Sequence, residues 1–438
     1  MSENLSHDLS VAFHTLGCKV NHHDSDVMKG LFKAAGYRIV DFSEVADIYV
    51  INTCTVTHLS DRKSRQMIRR AASQNNLAII AVCGCYVQAS PEEVRAIEDV
   101  DLLLGTNERH KIVEAVEQFM LDGKKKSYLP SKEVFNTFEP IEETRVSDMT
   151  RAYLKVQEGC EQFCTYCIIP YARGPLRSRR SVDVIEAIRK LEKQGYREVI
   201  LTGIHLGAYG HGEHDEPQVL SELCRMILNQ TGIERIRLSS IEPTEISDEL
   251  IDLIENHERM AKHLHIPLQS GSDKILKDMN RPYTKQDYRH IVRKVRTRIP
   301  DIAITTDLMV GFPGETEEYY QESYDFVDEI QFASMHIFKY SPRKGTPAAT
   351  YQGSISPELK DNYSKKMHAL AKVHEYTYMD KFIGKIVEVL IEEKTDFGYT
   401  GHTSNYLRVY TNDEVVLGRL TRILIEKREN ERLFGRQI

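Results

Sequence analysis

Residues 159–174 read GCEQFCTYCIIPYARG and set Cys160, Cys164 and Cys167 in a C-x3-C-x2-C run. Thiolates held this close together are soft donors for a soft metal centre, an iron–sulfur cluster or zinc. A closed structural zinc site takes four ligands, and Cys85 and Cys224 are far away in sequence, so zinc requires a remote fourth donor. Three thiolates on a four-iron cluster instead leave one iron open to bind another molecule. Cys18, Cys54 and Cys85 form a second, scattered set, each just after a short apolar run. The carboxyl ends of parallel strands share one edge of a sheet, where ligands collect, so these three cysteines can meet there. Three ordinary core thiols are the alternative. Cys83 lies two positions before Cys85 and on the same side of an extended chain.

The elements that must position these residues are readable from periodicity. Strands are predicted at Ala12–Leu16, Asp47–Asn52 and Leu77–Val82, with helices over Asp24–Ala35, Asp61–Ser73 and Pro91–Ile97. This alternation over residues 8–121 predicts an α/β domain with a doubly wound parallel sheet. Residues 122–150, which open on the charged DGKKK and carry Pro140 in a polar stretch, read as a linker. Residues 151–356 hold six strand-plus-helix units, fewer than the eight of a closed barrel. The strands are Ala152–Gln157, Glu198–Leu201, Arg235–Leu238, His263–Pro267, Ala303–Val310 and Ala333–Phe338. Val182–Gln194 is the clearest helix, with Ser181 as N-cap and Gly195 as stop. A helical connector over 357–378 leads to a domain at 379–438. There short strands at Ile386–Glu392, Tyr399–His402, Leu407–Tyr410, Val415–Leu417 and Leu420–Glu426 predict a small antiparallel β-barrel.

Among 438 residues, 41% are hydrophobic, enough for ordinary cores, and the formal net charge of −7 argues mildly against a general nucleic-acid binder. No apolar run reaches the roughly 18 residues of a membrane span, and MSENLSHDLS has no signal-peptide pattern. A cytoplasmic protein is expected, its eight cysteines serving metal or redox chemistry rather than disulfides. Two basic stretches stand out. Arg62, Arg65 and Arg69 share one helical face, and Arg173, Arg177, Arg179 and Arg180 follow the three-cysteine loop. Arginine suits bidentate phosphate contact and base stacking, so Arg62, Arg65, Arg69, Arg173 and Arg177 are candidate RNA contacts; solvated charged faces are the alternative.

The cysteine loop, with Tyr166 directly before Cys167, resembles that of radical S-adenosylmethionine enzymes. Gly17-Cys18 followed by Asn21, Asn52-Thr53-Cys54, and Gly84-Cys85 followed by Gln88 resemble the amino-terminal signature of the methylthiotransferases within that superfamily. The resemblance implies two 4Fe–4S clusters. One, on Cys160, Cys164 and Cys167, binds S-adenosylmethionine and generates a 5′-deoxyadenosyl radical; the other, on Cys18, Cys54 and Cys85, carries sulfur. Cys85, which follows the glycine, is the ligand of that pair and Cys83 a packed thiol. The central domain then becomes a partial (β/α)6 radical barrel. Position at the strand ends, together with the resemblance, gives Tyr166, Thr202, Gly203, Glu242 and Gln269 to the cofactor; turn glycines and a solvated carboxylate are the alternative. His265 reads as a satisfied core histidine.

Gly401-His402-Thr403-Ser404-Asn405-Tyr406 and the Gly418 turn resemble the TRAM module, a barrel associated with RNA binding. Thr202-Gly203-Ile204-His205-Leu206-Gly207 and Tyr171-Ala172-Arg173-Gly174 are similar to the bacterial branch acting on N6-threonylcarbamoyladenosine at tRNA position 37. That implies the tRNA anticodon loop as partner, an electron donor such as flavodoxin or ferredoxin, and no membrane. Cationic side chains near Arg177 are expected to meet the threonylcarbamoyl group. Isopentenyladenosine-37 tRNA and an aspartate of ribosomal protein S12 are rival substrates, and a non-catalytic iron–sulfur scaffold is a rival of another class.

Overall fold

Six strands, all paired in parallel, form the first sheet in the order β2-β1-β3-β4-β5-β6. They are β1 (Ser10–Thr15), β2 (Arg38–Val40), β3 (Ile48–Thr53), β4 (Ile79–Gly84), β5 (Leu102–Leu104) and β6 (Lys126–Tyr128). The computed structural model describes residues 9–130, 135, 137–139, 150–211 and 219–438. The central strand β3 (IYVINT) is buried throughout, because helices cover both faces of the sheet. Val11, Ile48, Val50 and Ala81 pack on one face with Phe32 of helix α1 (Lys19–Ala34). Tyr49, Ile51, Ile80 and Val82 pack on the other with Ile68 of helix α2 (His58–Gln74).

Helix α1 begins at Lys19 rather than Asp24. Its first turns bury Asn21, His23 and Asp24, so they carry no apolar periodicity for a sequence reading to find. Strand β6 falls inside the expected linker yet closes the sheet beside β5. The polar stretch expected from Ser131 to Asp148 lies largely outside the described residues.

The central domain is built on β7 (Arg151–Glu158), β8 (Arg177–Ser178), β9 (Glu198–Gly203), β10 (Arg235–Leu238), β11 (His263–His265), β12 (Ala303–Val310) and β13 (Ser334–Lys339). The ladders run β8-β7-β9-β10 and β11-β12-β13. Parallel bridges between Ile236 and Met260, and between Ser240 and His265, join them into an open barrel of six parallel strands, with short β8 antiparallel at its edge. One large apolar core joins the strands to the surrounding helices, including Val184, Ile185, Ile188 and Leu191 of helix Ser181–Lys193. Ser181 is the first helical residue and Arg180 the cap, one position from the sequence reading. Gly195, at φ +95°, ends the helix as expected.

Helix Pro357–Asp380, capped where Ser356 Oγ accepts from Leu359 N at 3.2 Å, leads to a closed barrel. Its strands β14 (Ile386–Thr395), β15 (Gly398–Thr403), β16 (Arg408–Thr411), β17 (Leu420–Glu429) and β18 (Arg432–Gln437) run β14-β15-β16-β18-β17. All pairings are antiparallel except β16–β18. Val415–Leu417 is a loop, not a strand, and Val416 and Leu417 are exposed. The place is taken by Arg432–Gln437, whose charged ends hide it from apolar alternation. Among the described residues no helix is long and apolar enough to cross a membrane.

The barrel docks through a buried charge cluster. Glu198 on β9 takes both Arg235 and Arg237, and Arg237 donates to Ser404 O at 2.8 Å and Thr403 O at 3.0 Å. Tyr406 stacks between His263 and His402 beneath the Arg237 guanidinium. The Gly401–Tyr406 stretch therefore faces the central domain. Burial alone raises the Glu198 carboxyl, but Arg237 and Arg235 outweigh it and hold it at about 2, below its ordinary 4.5. Because the folded value is depressed, this stabilisation is complete above pH 4.5 and fades as pH falls towards 2, in all roughly 3 kcal/mol. Glu198→Gln is expected to be several kcal/mol less stable than wild type at neutral pH, with the gap narrowing as pH falls from 5 to 3. Urea denaturation at stepped pH reads this, and a pH-independent gap contradicts it.

Candidate active site

The 160–167 loop leaves the carboxyl end of β7 and is tied down at both ends. Cys160 N donates to Gly174 O at 3.0 Å, and Cys167 N to Cys164 O at 2.9 Å. A turn after helix Asp273–Asp278 clasps its middle: Thr165 donates from N to Met279 O and from Oγ1 to Asp278 O, and Asn280 Nδ2 donates to Gln162 O and Phe163 O. The next residue, Arg281, donates to Cys164 Sγ at 3.1 Å and pairs with Glu242. His205, after β9, lies 3.8 Å from Cys160 Sγ through Nδ1 and meets Glu245 through Nε2 at 2.6 Å. Neither Arg281 nor His205 was chosen from sequence as a site residue. The signal available for His205 was position, since it follows a strand end of a parallel barrel, whereas Arg281 follows a helix and had no such signal.

The cofactor candidates occupy the same rim. Thr202 and Gly203 end β9, and a Cβ on Gly203 would lie 2.8 Å from Gln157 Oε1. Glu242 follows β10, its carboxyl raised by burial against the opposing pull of Arg281 and His205. Gln269, after β11, adopts φ +63°, and its buried Oε1 has no hydrogen-bond partner. Tyr166 packs with Met309, Phe312 and Tyr340, and burial pushes its hydroxyl well up. His265 is satisfied by Thr305 Oγ1 and Asp307.

The first sheet brings Cys18, Cys54 and Cys85 to one edge. Cys18 follows β1 and caps α1, Cys54 follows β3, and Cys85 opens helix α3 (Cys85–Ala89). Two glycines permit the approach. Gly17, at φ +106°, would set a Cβ 2.8 Å from that of Cys54, and Gly84, at φ +95°, would set one 2.5 Å from Thr53 O. The bend at Gly84 also separates two neighbours that an extended chain would align. Cys83 stays in the core near Met28, whereas the Cys85 thiol accepts from Arg173 Nε at 3.2 Å. Cys54 and Cys85 are buried, whereas Cys18 is exposed. Burial pushes Cys54 and Cys167 up to about 12. Thiolates there need positive partners, and each set has one arginine on a sulfur: Arg173 at Cys85, Arg281 at Cys164.

Arg173 and Arg177 cannot serve as surface RNA contacts. Arg173 is 0% and Arg177 1% exposed. Helix Ile169–Arg173 tucks beneath the first domain, so Arg173 reaches Asp24, Glu158 and Asn21; Arg177 lies on β8 and donates to Phe135 O and Pro175 O. Its burial likewise removes it from reach of a substrate side group. Arg179 is buried too, while Arg180 is exposed and paired with Asp183. On α2, Arg62 and Arg69 are exposed, and Arg65 is half-buried with Nη1 donating to Tyr86 Oη at 2.7 Å.

Residues 10–105 match a family described as Uncharacterized protein family UPF0004, and residues 154–327 match the Radical SAM superfamily. The chain is 41% identical over 426 residues to the threonylcarbamoyladenosine tRNA methylthiotransferase MtaB of Bacillus subtilis, covering 95% of this chain and 94% of that one. The chain belongs to the radical S-adenosylmethionine methylthiotransferase family. The MtaB of Aquifex aeolicus is 38% identical over 421 residues, covering 95% of this chain and 100% of its own. A tRNA-2-methylthio-N6-dimethylallyladenosine synthase of Acetivibrio thermocellus is 36% identical over 425 residues, covering 94% and 87%. In fold, this methylthiotransferase is similar to the radical S-adenosylmethionine methyltransferase TsrM of Kitasatospora setae, with TM-score 0.57 at 15% identity over 79% of this chain and 77% of that one.

S-adenosylmethionine and a 4Fe–4S cluster are therefore cofactors of this enzyme. The donors fit a cluster better than a single ion. Each set offers three thiolates, the soft donors that the separate irons of a cluster take.

Proposed function

We propose that this methylthiotransferase acts on tRNA, converting N6-threonylcarbamoyladenosine at position 37 to its 2-methylthio derivative with two 4Fe–4S clusters. The observation that carries the substrate is the 41% and 38% identity, each over 95% of this chain, to two enzymes named for threonylcarbamoyladenosine. The His205-Leu206-Gly207 stretch after β9 agrees with that branch. Bound at the two cysteine triads, the clusters would supply an electron to S-adenosylmethionine and carry the transferred sulfur.

The chain's own residues hold and orient. Cys160, Cys164 and Cys167 would hold the radical-generating cluster, and Cys18, Cys54 and Cys85 the auxiliary one. Arg281 and Arg173 donate to one sulfur of each set, which favours the thiolate. Tyr166, Thr202, Gly203, Glu242 and Gln269 would bind S-adenosylmethionine, the unpartnered Gln269 Oε1 providing an acceptor for it. Arg62, Arg65 and Arg69 would meet the anticodon arm, and a low-potential protein such as flavodoxin or ferredoxin would deliver electrons in the cytoplasm.

Mass spectrometry of tRNA nucleosides from a strain lacking the gene tests this. Loss of 2-methylthio-N6-threonylcarbamoyladenosine with accumulation of its precursor is expected. Loss of the dimethylallyl derivative, or unmodified ribosomal protein S12 with intact tRNA, would overturn it.

A further inference from the structure

A cleft of about 180 Å³ opens where the two domains meet, bounded by His58, Asp61, Arg65, Glu93, Arg343 and Lys344. Ile168 forms part of its wall directly after Cys167, and Ala89 forms another part at the far end of the helix that Cys85 begins. Thr55, next to Cys54, holds its floor by accepting from Arg343 Nη2 at 2.6 Å. Chain neighbours of cysteines from both triads thus border or support the cleft.

Its charge is unbalanced. Arg343 and Asp61 neutralise each other through a 2.6 Å pair, both almost fully buried. Arg343 nevertheless keeps a buried Nε with no hydrogen-bond partner. Neither Arg65 nor Lys344 forms an ion pair with a described residue, and Glu93 instead accepts from Tyr86 Oη at 3.1 Å. With Arg343 and Asp61 cancelling, Arg65 and Lys344 outnumber Glu93 by one positive charge around this space, an arrangement suited to one oxyanion.

We propose that this cleft receives the carboxylate of the threonylcarbamoyl group on the substrate base. The inference rests on the substrate reading above. In adenine, C2 and the N6-bearing carbon flank the same ring nitrogen. A base whose C2 is presented between the triads therefore sends its N6 substituent to a neighbouring wall, while the backbone phosphates lie on the far side of the ribose. A carboxylate fits that position and a phosphate does not.

The test uses the cluster-reconstituted enzyme and anticodon stem-loop RNAs that differ only at residue 37: adenosine, N6-threonylcarbamoyladenosine, or its methyl ester. Wild type is expected to bind the free acid more tightly than the other two. Lys344→Ala and Lys344→Gln are each expected to lose about tenfold in affinity for the acid and to change the adenosine RNA by less than about twofold. Equal weakening for all three RNAs assigns the cleft to a backbone phosphate and overturns the proposal. Retained preference for the acid in both variants overturns the cleft but leaves the substrate reading standing. A wild type with no preference among the RNAs overturns both.

Discussion

Alanine at Cys18, Cys54 and Cys85 together is expected to halve the iron of the reconstituted enzyme, from about eight to about four per chain, and to abolish methylthiolation. Reductive cleavage of S-adenosylmethionine should persist, because Cys160, Cys164 and Cys167 sit on another loop with their own arginine. The reciprocal triple variant should lose both activities. Cys83→Ala is the control: its thiol lies in the apolar core beside Met28, so iron content should be unchanged while stability falls modestly. Iron analysis after anaerobic reconstitution, with chromatography of 5′-deoxyadenosine and of RNA nucleosides, reads every arm. A wild type that binds only about four irons would sink the two-cluster reading.

Arg173→Met is expected to cost about 3–5 kcal/mol of stability. Arg173 is enclosed by Asp24, Glu158, Asn21 and Cys85, and binds all four. The surrounding buried network balances three carboxylates, Asp24, Glu139 and Glu158, against Arg109, Lys155 and Arg173. Removing one cation leaves a net buried charge where solvent cannot screen it. Asp24→Asn in the same chain restores the balance, so the double variant should be more stable than the sum of the single losses implies. Chemical denaturation of both single variants and the double variant measures the coupling; strictly additive costs would contradict the network. The same network spans the domain boundary: Asp24 lies on α1, whereas Lys155 and Glu158 lie on β7.

Much of the scaffold was legible because its signals are local. β-branched runs marked β3, β4 and β12, the six-unit spacing of the central domain marked an open barrel, and both cysteine patterns were visible as residue types at turns. What was missed follows from burial of polar groups. The first turns of α1 looked like loop because they bury Asn21, His23 and Asp24 for an ionic network rather than apolar side chains for a core. Arg173 and Arg177 looked like a phosphate-binding surface because a run of arginines usually stays in water. Here the carboxylates that pull Arg173 inward lie on distant segments. Arg281 and His205 carry no motif of their own, and only their distance to Cys164 and Cys160 singles them out.

By itself the sequence determined the soft-donor chemistry and the parallel α/β architecture, since ligand softness and hydrophobic period are properties of the residues and their spacing. Only the tertiary structure decided that Cys85 and not Cys83 turns towards Arg173, that two of the arginines are internal counter-ions, and that Arg65, Arg343 and Lys344 share one cleft. Each of these depends on which long-range neighbour a side chain meets after burial. Coulomb and desolvation energies vary with that neighbour far more than with anything adjacent in the chain.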